Sequence, residues 1–146
     1  MGKKAGYRLF ETTADVGVEA WGKTLQELFA NAARGLFDVI CSGGPRHGAG
    51  DDRPLKFSVE LRAEDLGGLL VGWLNELIYL QTVKGFLLRK VDFERLEQGE
   101  LRATLWGESY DPRIHGAGVE VKAATYHRLE VAPEDQGWRC RVILDI

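Results

Sequence analysis

The chain is predicted to fold as an α+β protein of one domain, with two helices packed on largely antiparallel sheet. Three observations lead there. Several stretches alternate apolar and polar residues with the period of a half-buried strand, and two carry apolar residues at helical spacing. Their order is strand, helix, an inserted strand-helix-strand-strand, then strand-strand. Without the insert, at about residues 55–106, the segments at about 7–40 and 119–146 form a second strand-helix-strand-strand unit. Segregation of this kind favours an α+β sandwich over an alternating parallel sheet.

Val16, Val18 and Ala20 alternate with Gly17, Glu19 and Trp21, and Asp15 opens that strand. Thr24-Leu25-Gln26-Glu27 is a capping box. In the helix that follows, Leu25, Leu28, Phe29, Ala32, Leu36, Phe37 and Ile40 form an apolar stripe, with Gln26, Glu27, Asn31, Arg34 and Asp38 largely outside it. Residues 41–54, rich in glycine and charge, read as a loop with Pro45 and Pro54. Leu55, Phe57, Val59 and Leu61 alternate as the next strand, and Leu66, Leu69, Leu70, Trp73, Leu74, Leu77 and Ile78 mark a longer helix. Gly67, Gly68 and Gly72 weaken that helix by up to about 1 kcal/mol each relative to Ala, so packing must stabilise it, and they suit a close approach to the sheet. Trp73, Leu74 and Tyr79 are expected in the core. After Lys84-Gly85, residues 86–96 and 101–106 read as a hairpin around Glu97-Gln98-Gly99-Glu100. An irregular stretch, 107–118, precedes a last hairpin of 119–131 and 138–144, joined by Pro133-Glu134-Asp135-Gln136-Gly137.

The 146 residues are 45% apolar and 28% charged, enough for a proper core. A net charge of -3 and a pI near 5.6 argue against sequence-independent nucleic-acid binding, which relies on clustered Lys and Arg. Any part in RNA chemistry would then run through a protein partner. Cys41 and Cys140 lack C-x-x-C spacing and read as small buried apolar residues in a reducing compartment. No apolar region follows the first six residues, no run is long enough to span a bilayer, and Gly6 replaces the Ser or Thr of a myristoylation signal. The cytoplasm is the expected address.

Candidate chemistry gathers at the two ends. Asp145 and Ile146 follow directly on the alternating Trp138, Cys140, Val142 and Leu144, so an Asp carboxylate and a main-chain carboxylate stand side by side on an apolar, strand-forming ending. By parity Asp15 points away from Val16 and Val18, and Asp145 away from Val142 and Leu144. If those strands are adjacent and antiparallel, both carboxylates project from one face. Repulsion between unit charges about 4 Å apart is roughly 4 kcal/mol at an effective dielectric near 20. Such a group needs a proton, a basic side chain or a cation, and an all-oxygen set suits Ca, Mg or Mn, not Zn. The plainer alternative makes Asp15 a turn residue bonded to its own backbone and Asp145 the partner of a Lys or Arg. Lys122, on 121–127, is either a solvated side chain or a contact for an anionic partner group. His127 and His115 are candidate ligands or bases, or structural residues. No nucleophile-base-orienter triad, phosphate loop opening a helix or His-x-x-x-His pair is present.

Residue by residue the chain resembles the archease family, in Thr13-Ala14-Asp15-Val16-Gly17, Gly22-Lys23-Thr24-Leu25-Gln26-Glu27-Leu28-Phe29, Trp73-Leu74-Asn75-Glu76-Leu77-Ile78-Tyr79, Gly107-Glu108, Val121-Lys122-Ala123-Ala124-Thr125-Tyr126-His127 and Val142-Ile143-Leu144-Asp145-Ile146. The resemblance implies a small accessory protein of nested units that binds a metal ion, commonly calcium, through Asp15, Asp145 and Ile146. It further implies assistance to an RtcB-type RNA ligase in tRNA splicing, by promoting guanylylation and multiple turnover. The tRNA is then reached only through the ligase, and the chain has no active site of its own. The family usually carries His where this chain has Thr12, which leaves the three oxygen ligands intact. Two other classes stay in view: a metal-assisted hydrolase using the same carboxylates with His127 as base, and a small-ligand-binding module.

Overall fold

The structure, a computed structural model, describes residues 6–41 and 54–146. The loop expected at 41–54 therefore lies, but for its ends, outside the described residues. The elements in chain order are β1 (Tyr7–Glu11), β2 (Val16–Gly22), α1 (Leu25–Ile40), β3 (Leu55–Arg62), α2 (Leu66–Lys84), β4 (Phe86–Glu97), β5 (Glu100–Ser109), α3 (Pro112–His115), β6 (Ala123–Ala124), β7 (Glu130–Glu134) and β8 (Gly137–Asp145). The α+β class is as expected, and the strands pair antiparallel throughout. They form two sheets: β1-β2-β8-β6, with β7 also on β8, and β3-β5-β4. The insert thus builds a sheet of its own, and β2 and β8, far apart in sequence, lie side by side in the other.

Local chemistry sets the helix ends. The Glu27 N–H donates to the Thr24 hydroxyl at 3.1 Å, and the Glu27 carboxylate accepts the Lys23 N–H at 3.2 Å, so two orphan donors of α1 are satisfied. Thr24→Ala is expected to cost about 1 kcal/mol in a urea titration. α2 begins at Asp65, which accepts the Gly68 N–H at 2.8 Å, and closes at Gly85, whose φ of 65° is left-handed. Both α1 and α2 pack against strands of both sheets. Trp73 sits fully buried between them, its indole N–H donating to the Phe29 carbonyl at 3.0 Å and its ring 5.3 Å from Phe93.

Three expectations need correction. Tyr79 is 49% exposed, on the same side of α2 as the exposed Val83 one turn later. Asn31, read as outward, is buried: its side-chain amide donates to the Trp21 carbonyl at 2.7 Å and fastens α1 to β2. Residues 119–131 are not one strand. Ala123–Ala124 pair with β8; the chain then turns, Leu129 N–H donating to the Tyr126 carbonyl at 3.2 Å, before β7 returns to β8 from Glu130 through Pro133 to Glu134. Pro133 is tolerated because β7 is an edge strand. Among the α2 glycines, Gly67 is the tight one, since a Cβ there would come 2.9 Å from Leu129.

Both cysteines are buried and form no disulfide. Burial pushes the Cys140 thiol up from 9.0 to about 12. The fold therefore favours the neutral thiol, and its stability should decline as pH rises from about 9 toward 12, where only the unfolded chain ionises readily. Urea titrations from pH 8 to 11 should show a shallower decline for Cys140→Ala. No helix among the described residues is long and apolar enough to cross a membrane.

Candidate metal centre

β2 and β8 run antiparallel with Val16 opposite Leu144 and Val18 opposite Val142. Val18, Val142 and Leu144 are fully buried, so the alternate positions of both strands take the other face of the sheet. Val16 and Leu144 are the last pair of this register, and Asp15 and Asp145 are the next residues beyond it along the two segments. On the far side of β8, Ala123 lies opposite Asp145, and on the far side of β2, Glu11 pairs with Val16. A row across the end of the sheet then reads Thr12, Asp15, Asp145, Ala123.

The backbone around each Asp is fixed. The Thr12 N–H donates to the Asp15 carbonyl at 3.1 Å, while the Thr12 hydroxyl accepts the Asp15 N–H at 3.1 Å and donates to the same carbonyl at 3.3 Å. Thr12, not the Asp15 carboxylate, closes the turn. At the other end the Lys122 N–H donates to the Asp145 carbonyl at 2.8 Å, and Thr125 caps the Ile143 carbonyl with its N–H at 3.0 Å and its hydroxyl at 2.9 Å. The Ile146 side chain packs against the core. Neither the Asp15 nor the Asp145 carboxylate accepts a hydrogen bond or pairs with a cation from any described residue. The plainer reading, a self-bonded turn Asp15 and an ion-paired Asp145, is not what the side chains do. Among the described residues no three His, Cys, Asp or Glu side chains converge.

The other candidates separate. Lys122 is exposed; with Ala124 opposite the buried Leu144, alternation puts Lys122 on the Ala124 side and not beside Asp145. His127 lines a cleft of about 290 Å³ with Asp15, and its ring makes no hydrogen bond among the described residues. His115 is fully buried, its Nε2 2.8 Å from Glu108 Oε2 and its Nδ1 2.9 Å from the Asp111 N–H, which orders the segment around α3. A separate cleft of about 750 Å³ lies at the opposite end of β2 against Gly22 and Gly137, away from Asp15.

The profile of the Archease protein family (MTH1598/TM1083) matches residues 7–146. Archease proteins of Methanosarcina acetivorans and Pyrobaculum neutrophilum are 40% and 38% identical to the chain, each over 99% of it and 97% and 98% of the relative. This chain belongs to the archease family. A solution structure of Methanobacterium thermoautotrophicum protein 1598, 31% identical, superposes with a TM-score of 0.71 over 97% of the chain and 99% of its own. A Thermotoga maritima archease, described as a possible chaperone, shares the fold at 22% identity and a TM-score of 0.61, covering 95% of the chain and 96% of its own.

Within this archease the sequence reading overlooked Asn75. Its side-chain amide donates to the Ala124 carbonyl at 3.3 Å and its carbonyl accepts the Ala124 N–H at 2.8 Å, so it stands in for a neighbouring strand and seats β6 beside Asp145. The available signal was an Asn set between the apolar Trp73, Leu74, Leu77 and Ile78 of α2. Asn75→Ala leaves both Ala124 groups unpartnered and should cost about 1–3 kcal/mol in denaturant unfolding.

Proposed function

We propose that this chain holds a divalent cation, calcium by preference with Mg or Mn as substitutes, at Asp15, Asp145 and the Ile146 main-chain carboxylate. With it the protein activates an RtcB-type RNA ligase in the cytoplasm, promoting guanylylation and multiple turnover without catalysing a reaction itself. One observation carries the reading: two carboxylates, each one residue beyond the last β2–β8 pair Val16 and Leu144, neither partnered by any described residue. Directly opposed side chains stand about 5 Å apart. Two carboxylates so placed repel each other, and a bound cation removes that repulsion. The donor set is all oxygen, which a hard cation fits.

Each residue then has a task. Asp15 and Asp145 bind, Thr12 holds the Asp15 backbone, and Asn75 with Thr125 holds the strand beside Asp145. The cation, when bound, supplies a concentrated positive charge able to orient phosphate oxygens. Both Asp side chains lie on the open face of the sheet, where a partner protein can reach them. The chain's net charge of -3 fits a protein that meets tRNA only through the ligase.

The test is ligase guanylylation from GTP and multiple-turnover RNA joining, with the cognate ligase and a divalent metal. Substoichiometric wild-type protein should raise both rates; no stimulation across Ca, Mg and Mn would end the proposal. Lys122→Ala should lower the stimulation by a smaller factor than loss of an Asp. A hydrolase reading, with His127 as base, draws on the cleft it shares with Asp15. It lacks a group to orient the imidazole, and it predicts turnover of a phosphoester by this chain alone.

A further inference from the structure

The cleft beside Asp15 has a cationic wall that the cation site does not use. Arg128 and Arg141 line it with Asp15, His127 and Thr13 above the buried Ile143. Neither guanidinium has an ion-pair partner among the described residues. For Arg141 this is informative, because its ladder neighbours are acids: Glu19 stands opposite it on β2 and Glu130 on β7. Both turn elsewhere, Glu19 to Arg8 at 2.6 Å and to Arg139 at 3.6 Å, and Glu130 to Arg139 at 3.0 Å. Arg141 instead lies over the ring of Phe10, 4.1 Å from its centroid. Phe10 can lie there because it covers Gly17, where any Cβ would collide with the ring. Arg128 has a φ of 54°, the one left-handed non-glycine residue among those described, and this turn conformation brings its side chain to the same cleft. A non-glycine residue held in that region costs of order 1–3 kcal/mol and tends to mark a binding or switch segment.

We infer that this cleft binds a phosphoryl group, with Arg128 and Arg141 taking its oxygens and His127 and Thr13 at its sides. Guanidinium pairs suit tetrahedral oxyanions because each offers a planar fork of donors. Asp15 would repel a bare anion, so the ligand that fits both walls is a phosphate carrying a divalent cation. The inference builds on the cation reading above and gives that site its substrate class. The phosphoryl group could come from a nucleoside triphosphate or from the terminal phosphate of an RNA.

Isothermal titration of the full chain with inorganic pyrophosphate, GTP, and a dinucleotide ending in a 3′-phosphate, each with and without Mn, separates the sources. Pyrophosphate should bind more tightly with Mn than without. Arg141→Met, which keeps an apolar stem over Phe10, and Arg128→Gly, which suits the backbone, should each weaken it by about tenfold or more. Their affinity for Mn alone should not fall. Lys56→Ala and Lys90→Ala, beside Trp106 on the other sheet, should leave pyrophosphate binding unchanged. Equal pyrophosphate affinity in wild type and both arginine variants, equal losses in the lysine variants, or no binding at millimolar ligand would overturn the inference. Arginine-dependent pyrophosphate binding that Mn fails to strengthen would overturn the metal-carrying form of the ligand and end the cation reading with it.

Discussion

Asp145→Ala is expected to abolish the proposed stimulation of ligase guanylylation and to leave the fold intact. The side chain is exposed and makes no hydrogen bond or ion pair among the described residues, so its loss falls in the class of surface substitutions worth about ±0.5 kcal/mol. Relief of its repulsion with Asp15 pushes the metal-free protein toward the stable side of that range. Function should respond far more strongly. Removing an outer-shell partner of a metal site already costs roughly 10–100-fold in affinity, and Asp145 is proposed as a direct ligand, so loss beyond about a hundredfold is expected. Single-turnover guanylylation alongside thermal melts of both proteins measures the two effects together. Full stimulation by the variant would remove Asp145 from the mechanism, and a large fall in metal-free stability would return it to a structural part.

Trp73→Ala should be the most damaging single change to the fold. The indole is fully buried where α1, α2 and β4 meet, touches Phe93 and is anchored on the Phe29 carbonyl. Truncation leaves a cavity that three elements cannot close together, at about 3–5 kcal/mol. For a chain of this size that corresponds to a melting temperature lower by roughly 10 °C. Trp73→Phe, which keeps most of the volume and loses the hydrogen bond, should recover more than half.

Period-two and helical patterns were legible wherever burial is one-sided and local. The alternation of Val16, Val18 and Ala20 against Cys140, Val142 and Leu144 was enough to bring Asp15 and Asp145 to one face, once the nested order made β2 and β8 neighbours. The capping box at Thr24 and the stop at Gly85 were readable for the same reason: they are settled within a few residues. The failures come from contacts made across the chain. Residues 119–131 alternate like a strand, yet Asn75 pairs with Ala124 from α2, Thr125 ties itself to the Ile143 carbonyl, and Arg128 turns the backbone left-handed. β1 went unnamed because its short pattern shows only beside β2, and Asn31 looked outward until the end of β2 arrived to bond it. In the site, the residue types were readable, whereas the work of Thr12 was not. It takes over the turn hydrogen bonds that an Asp at this position would otherwise make, and so leaves the Asp15 carboxylate unpartnered.

Calorimetric titration of Ca and Mn into the untagged chain, the same chain extended by a C-terminal tag, and Ile146→Val probes the cation site most directly. The proposed site predicts one cation per chain for the untagged protein, markedly weaker binding when the tag converts the Ile146 carboxylate to an amide, and unchanged affinity for Ile146→Val. Equal affinity with and without the tag would remove the main-chain carboxylate from the site, and no binding to the untagged chain would contradict the cation centre altogether.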